Sequence, residues 1–194
     1  LISSGTWVVI YFEISKNEIY KDLYKSHTIN SNYSNTFNLS LRFPYGKIYS
    51  KSFIKSQLIN HYKIDLNTAK QILIENFKIN QKNIFTLKSF KKIKKYKTNK
   101  KKYYYLFFLF ALQIAISIIL KNDRNTIIID GVFAKNKIFL FFLTNLLKNK
   151  VLVYKETDGV AMGALSIFSK IPKEKYKLKE IKKNKKFVEL LHFL

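Results

Sequence analysis

The residues of this chain whose types and spacing suit ligand chemistry are its glycines and the polar residues beside them. Only five glycines occur among the 194 residues; one is in the stretch SSGTW and another is in IIIDGVFAKN. Glycine permits positive φ angles and a close approach of the backbone to a ligand. A turn that offers N–H groups and hydroxyls suits a phosphate. We therefore predict that Ser4, Gly5 and Thr6 form a phosphate-binding turn.

The second stretch, around Gly131, directly follows three isoleucines, which predict a buried strand. Open α/β sheets bind ligands outside the carboxyl ends of their strands, so Gly131 is predicted to face a crevice. Lys135 and Asn136 stand at the start of the helix that follows, where Asn136 can offer its amide to a nucleobase or a ribose. Taken alone, each of these features is also common as a plain turn or helix start.

No side chain is predicted to act as a catalytic base or as a metal ligand. The pattern places His27 in a loop, His61 in a helix and His192 in the tail, where solvated histidines are usual. Cysteine is absent, which excludes disulfides, thiolate metal sites and a thiol nucleophile. Asp130 is predicted to stabilise the turn after its strand rather than to take a proton.

The formal net charge of +24 favours a polyanionic partner, but its composition weakens that interpretation. Of the 36 basic residues 34 are lysines, whereas proteins that bind nucleic acid favour the bidentate guanidinium of arginine. With 17 asparagines and many isoleucines, the composition is typical of an AT-rich coding sequence. A lysine-rich RNA-binding or organellar ribosomal protein is kept as the alternative function. The lysine run at 88–102 is predicted to be a solvated loop or an exposed helix face.

The first half of the chain is predicted to contain one strand, a polar segment and two helices. The apolar run within 1–14 predicts a strand that is entered from the SSGTW turn. Residues 15–40 are rich in Asn and Ser and predict a loop with one short strand, and 41–49 predict a turn. Apolar positions at helical spacing within 50–78 predict two helices, separated near 65–67, where Asp or Asn can cap the second.

The second half predicts helices and strands in alternation. A helix at 103–120 precedes the strand TIIID, a helix at 135–147 precedes the strand KVLVY, and a further helix is predicted at 160–169. Continuously apolar strands that alternate with helices indicate a parallel sheet covered on its faces. Residues 170–194 are predicted to be a lysine-rich tail with a short terminal helix.

The helix at 103–120 also raises the question of a membrane. Its 18 residues carry no charge, which is long enough for a membrane span. Gln113 and Ser117 lie on one face of it, and a buried helix of an α/β domain explains the segment equally well. Hydropathy alone leaves both interpretations open.

Taken together, the motifs resemble the carboxy-terminal domain of the FGGY carbohydrate kinases. SSGTW matches a loop of that family that faces the β- and γ-phosphates of ATP, and LRFPYGKIY resembles its glycine-containing turn. IIIDGVFAKN and TDGVAMGA are similar to its two later motifs, and the order holds over residues 1–169. The resemblance implies an α/β domain with a ribonuclease H-like (actin-like ATPase) fold, in which helices flank a mixed sheet. Within that family, the motifs of this chain are similar to those of the branch that contains the rhamnulokinases, fuculokinases and xylulokinases.

The resemblance implies phosphoryl transfer from ATP, with Mg²⁺, to a ketose such as a pentulose or a 6-deoxyketose. The catalytic aspartate and the first phosphate loop of the family precede its SSGTW strand. The chain is therefore expected to be inactive alone and to need an amino-terminal half from the same gene or from a separate chain. The residues expected at the nucleotide are Ser4, Gly5, Thr6, Gly131, Lys135 and Asn136.

The resemblance further implies that the helix at 103–120 lies in a protein core. We accordingly expect a cytoplasmic protein with a sugar substrate and without membrane or nucleic-acid partners, and a homodimer is compatible with this interpretation. The chain also departs from the family pattern. Gly46 stands alone where the family has a glycine pair, Ile48 replaces an acidic residue, and Val132 replaces a glycine or proline. Lys135 keeps the positive charge of the family's arginine.

Overall fold

The computed structural model divides the chain into two compact units. The sheet unit comprises Leu1–Ser56, Ile127–Ala134 and Leu152–Lys179, and the helical unit comprises Gln57–Thr126, Lys135–Val151 and Glu180–Leu194. The structure describes residues 2–4, 8–14, 27–30, 37–43, 63–76, 92–120, 124–154 and 178–193. The predictions for Gly46, for most of the first helix, for the motif TDGVAMGA and for the helix at 160–169 lie outside these residues.

Seven strands form one sheet in the order β3-β4-β2-β1-β5-β6-β7. Within the described residues there are also four α-helices and two short 3-10 helices, Lys92–Lys95 and Val132–Lys135. The strands are β1 (Ile2–Ser4), β2 (Val8–Ile14), β3 (His27–Asn30), β4 (Phe37–Phe43), β5 (Ile127–Gly131), β6 (Val151–Tyr154) and β7 (Leu178–Glu180). The α-helices are α1 (Leu66–Asn76), α2 (Asn99–Leu120), α3 (Lys137–Leu146) and α4 (Lys185–Phe193).

The sheet is mixed, as the resemblance implied. β1 pairs in parallel with β5, whereas β1 with β2, β2 with β4, and β3 with β4 pair antiparallel. The sequence predicts a parallel sheet in the second half of the chain, and β5 does pair in parallel with β1. Only three residues separate β1 from β2 and six separate β3 from β4, which is fewer than the dozen or more that a parallel crossover requires.

The one short strand predicted within residues 15–40 understates the structure, which has β3 and the start of β4 there, and β4 continues into the first three residues of the predicted turn. The segment at residues 37–43, FNLSLRF, is the full-length strand β4, and all seven of its residues pair with β2. Its apolar and polar residues alternate strictly, which is the period of a strand, and the Asn and Ser content of the region concealed this. β3 likewise places His27 in a strand rather than in a loop.

An aromatic core fills the helical unit. Helix α2 contributes a run of buried side chains, and Phe142 of α3 lies at the centre of several ring contacts. Its centroid lies 5.2 Å from that of Phe108 and 6.2 Å from that of Tyr104, both in edge-on geometry. Such edge-on pairs add to the free energy gained from burying their surface.

Helix α2 is long and apolar enough to cross a membrane, and 78% of its most apolar stretch is buried within the protein. A core helix of a soluble protein has the same length and composition, so hydropathy is weak evidence for a span. The burial agrees with the core position that the resemblance implied.

Asp65 precedes helix α1 and caps its N-terminus. Its Oδ1 accepts the N–H groups of Asn67 and Thr68 at 3.0 and 3.3 Å, and its Oδ2 accepts the Thr68 hydroxyl at 2.9 Å. Lys100 of α2 forms an ion pair with the same carboxylate. The bond to Lys100, followed by those to Thr68, lowers the pKa of Asp65 from 3.8 to about 2. The predicted cap near 65–67 is therefore confirmed.

The segment predicted as a tail contains β7 and α4. The N–H of Ile181 donates to the carbonyl of Val151 at 3.0 Å. Asn184 precedes α4, and its side-chain oxygen accepts the N–H of Phe187 at 3.1 Å. The Phe187 ring is fully buried, with its centroid 4.9 Å from that of Phe141 in α3. Helix α4 therefore packs on α3 and contributes to the aromatic core of the helical unit.

Candidate functional site

The candidate site is the edge of the sheet unit where β1 and β5 end. These neighbouring strands are parallel, with Ile2 opposite Ile129 and Ser4 opposite Gly131. Neighbouring strands lie about 4.8 Å apart, so the last residues of the two strands are direct neighbours. The strands that lead to both predicted ligand-binding segments thus end at the same edge. Gly5 and Thr6 follow Ser4 in sequence and lie outside the described residues.

Buried side chains fix the register of this pair. Ile2 and Ile129 face each other in the ladder and are 1% and 0% exposed. Asp130, opposite Ser3, is also buried. A slip of one residue would move the isoleucines to the opposite face of the sheet, so the pattern specifies this register strongly. The sequence pattern therefore determines that β1 and β5 end side by side, at Ser4 and Gly131.

Gly131 has a backbone conformation that favours glycine. Its φ angle is +79°, in the left-handed region. A residue with a Cβ loses about 1–2 kcal/mol in that region because the Cβ crowds the following carbonyl. Gly131 leads into the 3-10 helix Val132–Lys135, whose first residue is 40% exposed. The strand thus ends in a turn at which the backbone conformation itself favours glycine.

Asn136 lies in the helical unit and caps helix α3. Its side-chain oxygen accepts the N–H of Phe139 at 2.8 Å, and its amide donates to the hydroxyl of Tyr103 at 2.8 Å. The residue is only 2% exposed. Both ends of its side chain are thus bonded within the protein, and its contact with a nucleotide stays a prediction. Sequence reasoning missed Tyr103, which shows only as the first residue of an apolar run 33 positions earlier.

Lys135, the last residue of the 3-10 helix, is exposed. For the described part of the chain, no group of three or more His, Asp or Glu residues lies close enough to hold a metal ion. The described residues at the end of β1 and β5 thus bring Ser4 and Gly131 together, and Lys135 belongs to the helical unit.

The sequence matches the family described as Carbohydrate kinase FGGY, C-terminal domain, over residues 1–176. The chain belongs to this family. The match spans the SSGTW and IIIDGVFAKN motifs and the strands β1 to β6, so the resemblance drawn from the motifs is confirmed at the level of the family. The α/β, ribonuclease H-like fold class is confirmed with it.

A solved structure described as a carbohydrate kinase from Novosphingobium aromaticivorans has a similar fold. The identity is 15% and the TM-score is 0.55. The similarity covers 94% of this chain but 42% of the neighbour, so the chain spans less than half the length of that protein. No curated protein sequence matches this chain.

Proposed function

We propose that this chain is the ATP-binding carboxy-terminal part of an FGGY sugar kinase that phosphorylates a ketose, such as a pentulose or a 6-deoxyketose. The observation that carries the proposal is the pairing of Ser4 with Gly131 at one sheet edge. Two motifs separated by more than 120 residues in sequence meet there, as a shared ligand requires. Family membership supports the reaction class, and the branch and its substrate follow from the motif resemblance.

The proposed nucleotide contacts divide by chemistry. Ser4, Gly5 and Thr6 offer backbone N–H groups and hydroxyls to the phosphates, and Gly131 leaves room for the ligand at the end of β5. Lys135 supplies positive charge. Because the Asn136 amide is bonded to Tyr103, Asn136 would act mainly by orienting the start of α3.

Mg-ATP, when bound, supplies the phosphoryl group and the metal charge that neutralises it. Phosphoryl transfer depends mainly on positioning and charge neutralisation, and this chain would hold the donor in place. We propose no catalytic base here. Among the described carboxylates, Asp65 caps α1 and pairs with Lys100, Glu180 pairs with Lys150 at 3.1 Å, and Asp130 is buried. Glu75 and Glu189 lie on helices α1 and α4 of the helical unit.

We accordingly propose that the base and the first phosphate loop come from an amino-terminal half and that this chain alone transfers no phosphate. A cytoplasmic location, without membrane or nucleic-acid partners, follows from the same proposal. The RNA-binding alternative is not favoured, because the family match covers the lysine run together with the motifs.

ATP binding by Gly131 variants tests the site. Asn tolerates positive φ but carries a Cβ, so Gly131→Asn separates a ligand requirement from a backbone requirement. We expect the variant to fold and to bind ATP about tenfold more weakly in calorimetry, a loss of about 1.4 kcal/mol. Val132→Ala, at the next and exposed position, is the matched control and should bind ATP like the unaltered chain. Equal ATP affinity in Gly131→Asn would show that this glycine serves the turn alone.

A second experiment tests whether this chain needs an amino-terminal half to transfer phosphate. A coupled assay with pentuloses and 6-deoxyketoses should show no phosphorylation by this chain and should show activity after co-expression with an amino-terminal half from the family. Phosphorylation by the chain alone would refute this requirement. If the co-expressed chains phosphorylate another sugar but none of these ketoses, the substrate class would be refuted and the kinase assignment would remain.

A further inference from the structure

A cleft of about 520 Å³ opens in the helical unit, and none of its described lining residues is among those proposed to hold the nucleotide. It lies where the end of α1, the 3-10 helix Lys92–Lys95 and the start of α2 come together. Its volume is within the range of small-molecule sites. The lining residues are Glu75, Asn76, Lys92, Lys95, Tyr96, Lys97, Thr98 and Lys101.

The described lining of this cleft is strongly positive, since it contains four lysines and one carboxylate. In the described part of the chain the ion pairs are Lys100 with Asp65 and Lys150 with Glu180, so none of the four lining lysines is paired there. The positive end of the α2 helix dipole adds to the potential, because Thr98 and Lys101 flank the first residues of that helix. Cations concentrated at a helix N-terminus oppose folding, and a bound anion would relieve that repulsion.

The wall of the cleft is held in place by buried contacts. Asn76 is 4% exposed, and its amide donates to the carbonyl of Ile72 and to the hydroxyl of Tyr96, each at 2.8 Å. The Tyr96 ring lies against Tyr105 of the α2 core, with centroids 5.1 Å apart. Burial raises the pKa of Tyr96, so its hydroxyl stays protonated and can donate. The Thr98 hydroxyl accepts the N–H of Lys101 at 3.3 Å. The backbone that carries the lysines is thus fixed before any ligand arrives.

We propose that this lysine cleft is a second ligand site, which binds a small phosphorylated anion. Lysine ammonium groups bind phosphate as point charges, and four of them around one cleft suit a ligand with more than one phosphate charge. Glu75 is the one described carboxylate in the lining, and it offsets part of this positive charge. A composition rich in lysine explains exposed lysines in general. It does not explain why four of them line one cleft with a fixed wall.

Titration of the full chain with inorganic pyrophosphate tests the site. We expect saturable binding in calorimetry at low ionic strength, and we expect Lys92→Gln with Lys95→Gln to weaken it by about tenfold. The control pair, Lys185→Gln with Lys186→Gln, removes the same charge from two exposed residues of α4 and should leave the affinity unchanged. An equal loss in both pairs, or no saturable binding, would overturn the proposal.

A footprint of the unaltered chain covers the case in which the cleft variants fail to fold. Lysine acetylation read by mass spectrometry should be slowed by pyrophosphate at Lys92, Lys95, Lys97 and Lys101, and not at Lys185. Uniform protection of all lysines would contradict a defined site. Protection of the cleft by a single-stranded RNA oligonucleotide but not by pyrophosphate would replace the proposal with a nucleic-acid surface. The nucleotide proposal is judged separately by the Gly131 variants.

Discussion

The sheet unit and the helical unit of this chain are specified by different kinds of residue. At the edge of the sheet unit, a single glycine with φ of +79° ends β5 opposite Ser4. In the helical unit, rings from α2, α3 and α4 fill a core. The helical backbone there does not restrict which aromatic residue occupies a given position. Backbone geometry admits few residues, whereas a core accepts apolar side chains of suitable total volume. The position of Gly131 therefore admits few residue types, whereas many positions of the aromatic core admit several apolar ones.

The largest expected effect is the loss of a ring from the helical unit. Phe142 is fully buried and contacts the rings of Tyr104, Phe108, Phe141 and Phe187. We expect Phe142→Ala to lower the free energy of unfolding by about 3–5 kcal/mol, measured by urea denaturation.

Ile119→Ala is the control for this change, because Ile119 is in the same unit and is 60% exposed. It should change the free energy of unfolding by less than about 0.5 kcal/mol. Similar losses in the two variants would mean that the aromatic core is not what holds the helical unit together.

A smaller loss is expected at the cap of helix α3. Asn136→Ala removes the cap of α3 and the bond to Tyr103, and should cost about 2 kcal/mol of unfolding free energy. Asn136→Ser keeps a capping oxygen and should cost about half as much. Equal losses would show that the Tyr103 bond, rather than the cap, provides the stability.

Substitutions at the sheet edge should change the free energy of unfolding less than they change the free energy of ATP binding. Gly131→Ala places a Cβ at positive φ and should lower the free energy of unfolding by about 1 kcal/mol. Gly131→Asn should cost less than half of that, because Asn tolerates this region. Thermal melts of both variants measure the difference. A larger cost for Asn than for Ala would contradict the left-handed conformation at Gly131.

The smallest effect concerns Asp65, whose pKa is lowered from 3.8 to about 2 in the folded chain. A lowered pKa in the folded state stabilises it above the unfolded value, and this contribution is lost as the pH falls from about 4 through about 2. The difference in unfolding free energy between the unaltered chain and Asp65→Asn should be largest near neutral pH, should have fallen steeply by pH 2 and should vanish below it.

The size of that difference is limited because the Asp65 side chain is 35% exposed, and we expect it to stay below about 1 kcal/mol. Added salt should reduce it further. A difference that does not change between neutral pH and pH 2 would show that the charge on Asp65 contributes nothing.

Much of this fold could be predicted from local patterns. The strand β5, the helix α3 and the strand β6 follow from apolar runs and periodicity, and the meeting of Ser4 with Gly131 follows from parallel strands that end at one edge. The cap at Asp65 was readable from residue type. Each of these signals lies within a short window of sequence.

The remainder depends on contacts that no short window contains. The bond between Asn136 and Tyr103 joins residues 33 apart in sequence, and nothing local distinguishes that tyrosine from its neighbours. The strand β4 was hidden because Asn and Ser are typical of loops, although its alternation was regular. The packing of Phe187 could not be predicted, because a short amphipathic segment carries no information about its partner.

The position of Phe187 has a practical consequence for expression of the domain. The family match ends at residue 176, yet strand β7, the Asn184 cap and the Phe187 ring all come after it. A gene cut at that boundary would leave the rings of Phe141 and Phe142 facing water, and the product would be prone to aggregate. The region that matches the family therefore ends before the residues that complete the described aromatic core.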